Sequence, residues 1–322
     1  MMVPLDPAGK PTSQRRIAEG DTVVVYERHD AMRAVAVRAG GVLQNRFGVF
    51  RHDDWLGRPF GSTVYSSAAG GGGRAGRKAG GGFVHLLAPT PELWTLVLSH
   101  RTQILYIADI SLVVSYLELV PGCVVLESGT GSGSLTTSLA RSVAPHGRVH
   151  TFDFHEQRAA SAREDFERNG LSSLITVNVR DIQGEGFPEE HRGAADAVFL
   201  DLPQPWLAIP SVSLMLKQDG VLCSFSPCIE QVQRACEAMR SCFTDIRTFE
   251  ILLRTYEVRD GALNNATVNE DATVGPRPQK RKKNTSSGEN SDCIQKTSSV
   301  LVRPASTAKG HTGYLTFARL RV

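Results

Sequence analysis

The chain has 322 residues, and its 36 lysines and arginines against 33 aspartates and glutamates give a formal net charge of +3. No apolar stretch approaches the roughly 20 residues of a membrane-spanning helix, and the opening residues MMVPLDPAGKPTSQRR lack the apolar core of a secretory signal. The six cysteines form no C-x-x-C pair, which argues against a zinc site and favours reduced thiols in a cytosolic or nuclear protein.

The first part of the chain predicts a small β domain at residues 17–95, preceded by a flexible tail at 1–16. Short apolar segments such as DTVVVYER, RAVAVRAGG and RFGVFRH alternate with turn residues, as they do in small sheets and barrels. Residues 70–82, GGGGRAGRKAGGG, contain no apolar side chain larger than alanine and predict a mobile loop.

The second part, residues 96–322, alternates between helical and strand patterns. The helical segment ILYIADISLVVSYLEL is followed by five strand-like segments, CVVLES, RVHTFDF, LITVNVRD, ADAVFLDLP and GVLCSFSP, with helices between them and a last strand GYLTFARLRV. This alternation predicts a parallel, doubly wound α/β sheet.

One stretch of this second part loses the pattern. Residues from about 259 to 309 are rich in Asn, Thr, Ser, Lys and Pro, and they predict a disordered insertion between the last two strands. The insertion contains RPQKRKK at 277–283, with five basic side chains and no acid. This cluster indicates either a nuclear-import signal or a solvated run of charge.

The motif VVLESGTGSGS at 124–134 sits where an α/β sheet binds its ligand, after the first strand. A dinucleotide loop needs G-x-G-x-x-G, but Ser134 and Thr136 stand where the third glycine would be in either register. The pattern that fits is Glu127 followed by Gly129, Gly131 and Gly133, which resembles the S-adenosylmethionine (SAM) loop of class I methyltransferases. A glycine-rich turn without a ligand is the alternative.

Two further acids end the next two strands. Asp153 follows Gly131 by 22 residues, and an acid there can bind both ribose hydroxyls of an adenosine, as in both NAD and SAM enzymes. Asp181 ends the third strand, where methyltransferases commonly hold the adenine amino group while the neighbouring residue, Ile182, packs on the ring.

The fourth strand ends at Asp201 in FLDLPQPW. The motif keeps the acid of the D/N-P-P-Y type sequence of amino-methylating enzymes but spaces the proline differently. It therefore indicates an acceptor nitrogen beside an amino group, for which adenine N1 is one candidate, since its lone pair needs no proton removed. A structural cap is the alternative reading of Asp201.

Six motifs together resemble the family of eukaryotic tRNA (adenine-N1)-methyltransferase catalytic subunits, which modify the T-loop adenine at tRNA position 58. They are HLLAPTPELWT (85–95), HRTQILYIADI (100–110), VVLESGTGSGS, FLDLPQPW, SFSPCIEQVQ (224–233) and GHTGYLTFA (310–318). The resemblance covers about residues 17–258 and 310–322. It implies a class I methyltransferase (Rossmann-like) α/β fold with a seven-stranded sheet.

The resemblance also implies roles for individual residues. Asp201 is the catalytic carboxylate, and Tyr106 lies with it at the acceptor base. The implied substrate-binding residues are Gln103, Pro203, Ser226, Pro227, His311 and Thr312. The implied SAM-binding residues are Leu105, Glu127, Gly129, Gly131, Ser132, Gly133, Ser134, Asp153, Arg158, Asp181 and Ile182. Many relatives carry Glu where Asp153 stands, and either acid can bridge a diol. No metal is expected.

Family enzymes in eukaryotes pair two catalytic with two non-catalytic chains, which would help a chain of charge +3 to hold tRNA. The resemblance and the basic cluster predict a nuclear protein, with the cytoplasm as a further location and no membrane association. Three alternatives remain: a mitochondrial paralogue of the same activity, a nicotinamide-dependent oxidoreductase, and a non-enzymatic RNA-binding subunit built on a methyltransferase fold.

Overall fold

The structure is a computed structural model that describes residues 15–28, 31–67, 82–262, 298–306, 310 and 312–321. These residues divide into two compact units. One is drawn from Met1–Ile251 and His311–Val322, and the other from Leu252–Gly310. The predicted tail and glycine-rich loop lie outside the described residues, apart from residues 15, 16 and 82.

The first six strands form the N-terminal part of the larger unit: β1 (Thr22–Arg28), β2 (Ala31–Ala36), β3 (Val42–Asn45), β4 (Gly48–Arg51), β5 (Ser62–Tyr65) and β6 (Phe83–Leu87). They pair as a four-stranded antiparallel sheet in the order β2-β1-β6-β5 and a separate β3-β4 hairpin. Their apolar side chains bury a core of their own around Phe50 and Trp55. This region clusters with the α/β sheet in one unit.

The rest of the larger unit alternates helices and strands. In chain order these are α1 (Pro91–Val97), α2 (Ile107–Tyr116), β7 (Val124–Ser128), α3 (Ser134–Val143), β8 (Arg148–Asp153), α4 (Glu156–Arg168), β9 (Ile175–Val179), α5 (Ile182–Glu185), β10 (Ala195–Asp201), α6 (Pro205–Met215), β11 (Leu216–Ser226), α7 (Ile229–Met239) and β12 (Phe243–Glu250). Two strands of the smaller unit follow, β13 (Tyr256–Ala262) and β14 (Ser298–Pro304), and then β15 (Tyr314–Leu320).

Seven strands form one sheet in the order β12-β15-β11-β10-β7-β8-β9. The strand order reverses at β7, which places the ligand-binding end of the sheet at the carboxyl ends of β7 and β10. The predicted doubly wound α/β sheet of seven strands is confirmed, and it is parallel except for β15, which runs antiparallel to both β11 and β12. Adjacent strands that are joined without a crossover helix pair in this antiparallel way, and the described residues between β12 and β15 contain no helix.

The two faces of the sheet bury two cores, because successive side chains of a strand point to opposite faces. Val125, Phe199 and Phe317 lie in the core beneath α1 to α4. Leu126 and Leu200 lie in the core on the other face, beneath α5 to α7.

The smaller unit contains an antiparallel hairpin that the sequence analysis missed. β13 and β14 pair from Tyr256↔Pro304 to Ala262↔Ser298. Residues 259–262 and 298–304, which lie inside the stretch predicted to be disordered, form strands. The two segments satisfy one another's backbone groups although they are far apart in sequence. Residues 263–297, including the RPQKRKK cluster, lie outside the described part of the chain.

Candidate functional site

Four acidic residues meet at the carboxyl edge of the sheet. Glu127 lies near the end of β7, Asp153 ends β8, and Asp201 ends β10. Asp181 follows β9 as the N-cap of α5. These strands are parallel neighbours in the sheet, so the four acids lie along one edge of it.

The three glycines of the loop after β7 have left-handed backbone, with φ of 106° at Gly129, 53° at Gly131 and 76° at Gly133. A Cβ on Gly131 would stand 2.6 Å from Thr102 Oγ1, and one on Gly133 would stand 2.7 Å from Phe166 Cζ. The glycines are thus required by the close packing of the loop against the protein as well as by its turns.

Glu127 is a buried carboxyl, with 1% of the residue exposed. Thr136 Oγ1 donates a hydrogen bond to Glu127 Oε2 over 2.7 Å. Burial raises the pKa of Glu127 to about 7, and the nearby carboxylates of Asp201 and Asp153 push it in the same direction. Thr136, which stands where a dinucleotide loop would have a glycine, therefore bonds to this acid together with Thr151.

Asp153 fastens the glycine loop to the next helix. Its Oδ2 accepts from the backbone N–H of Gly131 over 3.1 Å. Its Oδ1 accepts from the His155 N–H at 2.9 Å and from Arg158 Nη2 at 2.9 Å. The Arg158 guanidinium also lies 4.9 Å from the ring of Phe154, whose exposed fraction is 62%. Arg158 thus acts on the site through Asp153.

Two predicted SAM-binding residues, Asp181 and Ile182, follow the end of β9 and differ in exposure. Asp181 is exposed, and its Oδ1 accepts from the backbone N–H of Gln183 over 3.0 Å. Ile182 is buried, with 1% of the residue exposed, in the core beneath α5 to α7.

Residues 101–106, here called the strap, cover the glycine loop. Ser132 Oγ accepts from the backbone N–H groups of Arg101 at 2.9 Å and Thr102 at 3.2 Å. Ser134 Oγ donates to the carbonyl of the buried Leu105 over 3.1 Å. Ser132 and Ser134, both predicted to bind SAM, therefore also hold the strap in place.

A cation anchors the strap from its other side. Arg101 Nη1 lies 2.7 Å from Asp165 Oδ2 of α4, and Arg101 Nη2 donates to the carbonyl of Ser132 over 3.3 Å. The sequence analysis missed Arg101 and Thr102, although both lie in the HRTQILY motif that carried the resemblance.

The acceptor side of the crevice is centred on Asp201. The residue is half-buried, and burial raises the pKa of its carboxyl to about 6. The turn that follows is fixed at two points. Gln231 Nε2 donates to the carbonyl of Pro203 over 2.9 Å, and the Gln204 N–H donates to Gln183 Oε1 over 2.7 Å.

The remaining predicted substrate residues lie on three segments. Gln103 is exposed on the strap, and Tyr106 is the N-cap of α2. Ser226 ends β11 just before Pro227, and its buried hydroxyl has no hydrogen-bond partner among the described residues. Thr312 Oγ1 donates to Asp109 Oδ1 over 3.2 Å. His311 lies outside the described residues.

Among the described residues, no group of three or more His, Cys, Asp or Glu side chains is arranged to hold a metal ion. None of the helices in that part of the chain is long and apolar enough to cross a membrane.

Comparison with known proteins finds matches that bear the names of tRNA methyltransferase subunits. A family model described as "tRNA methyltransferase complex GCD14 subunit" matches residues 82–320. The tRNA (adenine(58)-N(1))-methyltransferase catalytic subunit of Dictyostelium discoideum is 42% identical over 316 residues, covering 94% of this chain and 96% of that protein. The subunit of the same name from Cryptococcus neoformans is 42% identical over 249 residues, covering 76% of this chain and 54% of that protein.

A solved structure, the tRNA (m1A58) methyltransferase of Aquifex aeolicus, superimposes with a TM-score of 0.68 at 22% identity. It covers 96% of this chain and 100% of that chain. At this identity the likeness concerns the fold alone, and it confirms the predicted class I methyltransferase architecture.

Proposed function

The chain belongs to the GCD14 family of tRNA methyltransferase complex subunits, and from this premise we propose that it methylates N1 of the adenine at position 58 of tRNA, in the T-loop, with SAM as methyl donor. The Dictyostelium relative that bears the name of this reaction aligns over nearly the whole of both chains. The proposal that this chain is a catalytic subunit acting on adenine therefore rests on a relative that matches it over nearly its full length.

The observation that carries the proposal is the position of Asp201 against the glycine loop. A Cβ on Gly129 would stand 3.2 Å from the Cβ of Asp201. Asp201 and Glu127 also lie on the same face of neighbouring strands, since Phe199 of β10 pairs with Glu127 of β7. A carboxyl for the acceptor is thereby held directly beside the donor loop.

The described residues fit SAM, which when bound supplies an activated methyl group on a sulfonium. Asp153 Oδ2 accepts one hydrogen bond in the structure, and a carboxylate oxygen has a second lone pair that suits a ribose hydroxyl. Asp181 is exposed at the neighbouring strand end. Glu127 faces Thr136 in the interior, so we propose that it favours the cationic donor through its charge rather than by direct contact.

Asp201 acts on the acceptor base. We propose that its carboxylate accepts a hydrogen bond from the N6 amino group, which orients the ring and stabilises the positive charge that develops as N1 is alkylated. With a pKa raised to about 6, the group is mostly ionised at neutral pH. No strong base is needed, because the N1 lone pair carries no proton. Much of the remaining rate enhancement comes from alignment of N1 by the strap and by the turn after β10.

We further propose a non-catalytic partner chain, two copies of each chain forming the assembly. The β13–β14 hairpin supports this proposal. Tyr256, Val258, Val300 and Val302 share one of its faces by register, and 57–67% of each residue is exposed. Exposed apolar faces of this kind mark protein–protein contacts. A folded tRNA must present its adenine splayed out of the loop, which requires a firm grip on the RNA. A net charge of +3 is small for binding the phosphates of a tRNA without help from a partner.

We also propose a nuclear location, which the RPQKRKK cluster supports.

The test is co-expression of the chain with the candidate partner, followed by incubation with tRNA and labelled SAM and by mass spectrometry of the nucleosides. We expect label in N1-methyladenosine at position 58. Label in another nucleoside refutes the substrate assignment. Calorimetric binding of NADH without binding of SAM would instead support an oxidoreductase.

A further inference from the structure

Asp109 is a buried carboxylate that the reaction described above does not use. It is the third residue of α2, and only 4% of the residue is exposed. A buried acid must be compensated by hydrogen bonds or by a partner, so its neighbours show which parts of the protein it holds together.

Two segments that are distant in sequence converge on this carboxylate. Thr312 Oγ1 donates to Asp109 Oδ1 over 3.2 Å, across 203 positions of the chain. The backbone N–H groups of Tyr106 and of Asp109 itself also bond to the carboxylate. An acid at the third position that accepts from the N-cap amide is one half of a capping box. Asp109 therefore fixes the start of α2 as well as the turn at Thr312.

Each of these segments is connected through packing or hydrogen bonds to the surroundings of Asp201. Tyr106 ends the strap, which is bonded to the glycine loop through Ser132 and Ser134. On the other side, a Cβ on Gly313 would collide with the ring of Phe225. Phe225 of β11 pairs in register with Asp201 of β10. The turn at 312–313 therefore packs on the residue paired with Asp201, and the strap that ends at Tyr106 is bonded to the loop whose Gly129 packs against Asp201.

Thr312 itself has an unusual arrangement, since the residue is exposed while its hydroxyl is directed to a buried acid. A hydroxyl can donate only one hydrogen bond, and in the structure Asp109 Oδ1 accepts the one from Thr312. The side chain is thus engaged in holding the turn.

We propose that Asp109 is a positioning residue of the methyltransferase, which locks the Tyr106 turn to the Thr312 turn and so sets the width of the crevice that receives the adenine beside Asp201. The inference rests on the proposed function. It predicts that loss of the link impairs use of tRNA much more than it impairs binding of SAM.

The test uses the complex of this chain with its partner and compares Asp109→Asn, Thr312→Val and the double variant, with Thr312→Ser as the matched control that keeps the hydroxyl. We expect kcat/KM for tRNA to fall about tenfold in Asp109→Asn and in Thr312→Val, because each loses a hydrogen bond to a charged group. Thr312→Ser keeps the hydroxyl that bonds to Asp109, so it should lose less kcat/KM than Thr312→Val and leave hydrogen exchange at both turns at the wild-type rate. The double variant should be no worse than the more impaired single variant, since both remove one interaction.

Two further readouts separate positioning from damage to the fold. The calorimetric Kd for SAM should change less than about twofold in every variant. Hydrogen exchange at residues 106–109 and 312–314 should accelerate together in Asp109→Asn and in Thr312→Val, independently of activity.

Additive losses in the double variant would overturn the proposal, since they would mean that Thr312 and Asp109 act separately. Full activity in Thr312→Val, or an equal loss in Thr312→Ser, would also overturn it. If the wild-type complex fails to methylate tRNA, then the proposed function is wrong, whereas coupled exchange at the two turns would still report the link itself.

Discussion

Gly129 and Asp201 are in backbone contact: a Cβ on Gly129 would stand 3.2 Å from the Cβ of Asp201 and closer still to its carbonyl oxygen. The donor loop and the residue that carries the acceptor carboxyl are therefore packed directly against each other. This close approach is possible because Gly129 has no side chain.

Replacement of this glycine tests that relationship. Gly129→Ala should cost roughly 3 kcal/mol or more in the free energy of unfolding, because it combines a positive φ of 106° with overpacking against Asp201. Gly122→Ala is the matched control, since its φ is 101° but its Cβ would meet nothing within 4 Å. The control should lose about 1–2 kcal/mol and keep its kcat. Denaturant unfolding and turnover of tRNA measure the two effects, and equal losses of kcat in both variants would count against the contact.

Removal of the acceptor carboxylate should impair chemistry much more than binding of the donor. Asp201→Asn keeps the shape of the side chain but loses the charge that stabilises the alkylated base, so kcat should fall roughly 100- to 1,000-fold. Single-turnover transfer from labelled SAM measures the rate, and calorimetry measures SAM affinity, which should change little. A variant that binds SAM and transfers methyl groups at the wild-type rate would sink the mechanism.

The affinity for SAM should rise with pH between about 6 and 8. Burial raises the pKa of Glu127 to about 7, and a cationic ligand favours the ionised form, so binding of SAM releases a proton. Calorimetry in buffers of different ionisation enthalpy measures that release. Glu127→Gln should bind SAM more weakly at pH 8 and show little dependence on pH across this range. An unchanged proton release in Glu127→Gln would assign the titration to another group.

Stability without SAM should change with pH in the opposite direction. The pKa of Glu127 is raised in the folded chain from its ordinary value of 4.5 to about 7, so folding favours the protonated acid. The free energy of unfolding should therefore fall as pH rises from about 4.5 to about 7. Glu127→Gln should remove this part of the pH dependence, and chemical denaturation over the pH series measures it.

Loss of the Arg158 guanidinium should weaken SAM binding through Asp153. Arg158→Ala leaves the carboxylate held by the backbone amides of Gly131 and His155 alone, and its orientation toward a ribose is then less fixed. We expect the Kd for SAM to rise about tenfold. Arg192→Ala is the control, because Arg192 makes an exposed pair with Glu189 at 3.1 Å and such pairs contribute little. Equal Kd values for the two variants would exclude a role for Arg158.

The two faces of the β13–β14 hairpin should respond differently to charge. Val302→Glu places a carboxylate on the apolar face that we assign to the partner chain, so association measured by sedimentation should weaken by about tenfold or more. Leu301→Glu is the control, since Leu301 is exposed to a similar degree, 56% against 61%, on the opposite face. Equal association by the two variants would place the partner elsewhere.

Local patterns predicted the positions of the glycine loop and of the acids at the strand ends. The glycines, Asp153 and Asp201 follow strands whose apolar runs are readable in the sequence, and parallel strands bring their carboxyl ends to one edge. The same pattern gave no information about side-chain partners. Glu127 was predicted to bind SAM, and nothing in the pattern indicated that its carboxyl accepts a hydrogen bond from Thr136 in the interior.

Contacts between distant segments were beyond the sequence analysis. The Asp109–Thr312 hydrogen bond joins residues 203 positions apart, and the Arg101–Asp165 pair joins residues 64 apart. No periodicity links such positions. The β13–β14 hairpin was missed for a related reason, because within the described part of the chain each of these strands pairs only with the other.

The place of β15 in the sheet has a consequence for the order in which the chain assembles. β15 lies between β11 and β12, yet it is synthesised after both of them. β12 must therefore wait about 60 residues for its only strand neighbour in the described sheet, on the order of several seconds at roughly 5–20 residues per second. During that interval the edge of β11 lacks the strand that pairs with it, and the ring of Phe249 lacks its contact with Phe317 of β15. The nascent chain is most exposed to mispairing and chaperone capture while the region from β13 to β14 is emerging.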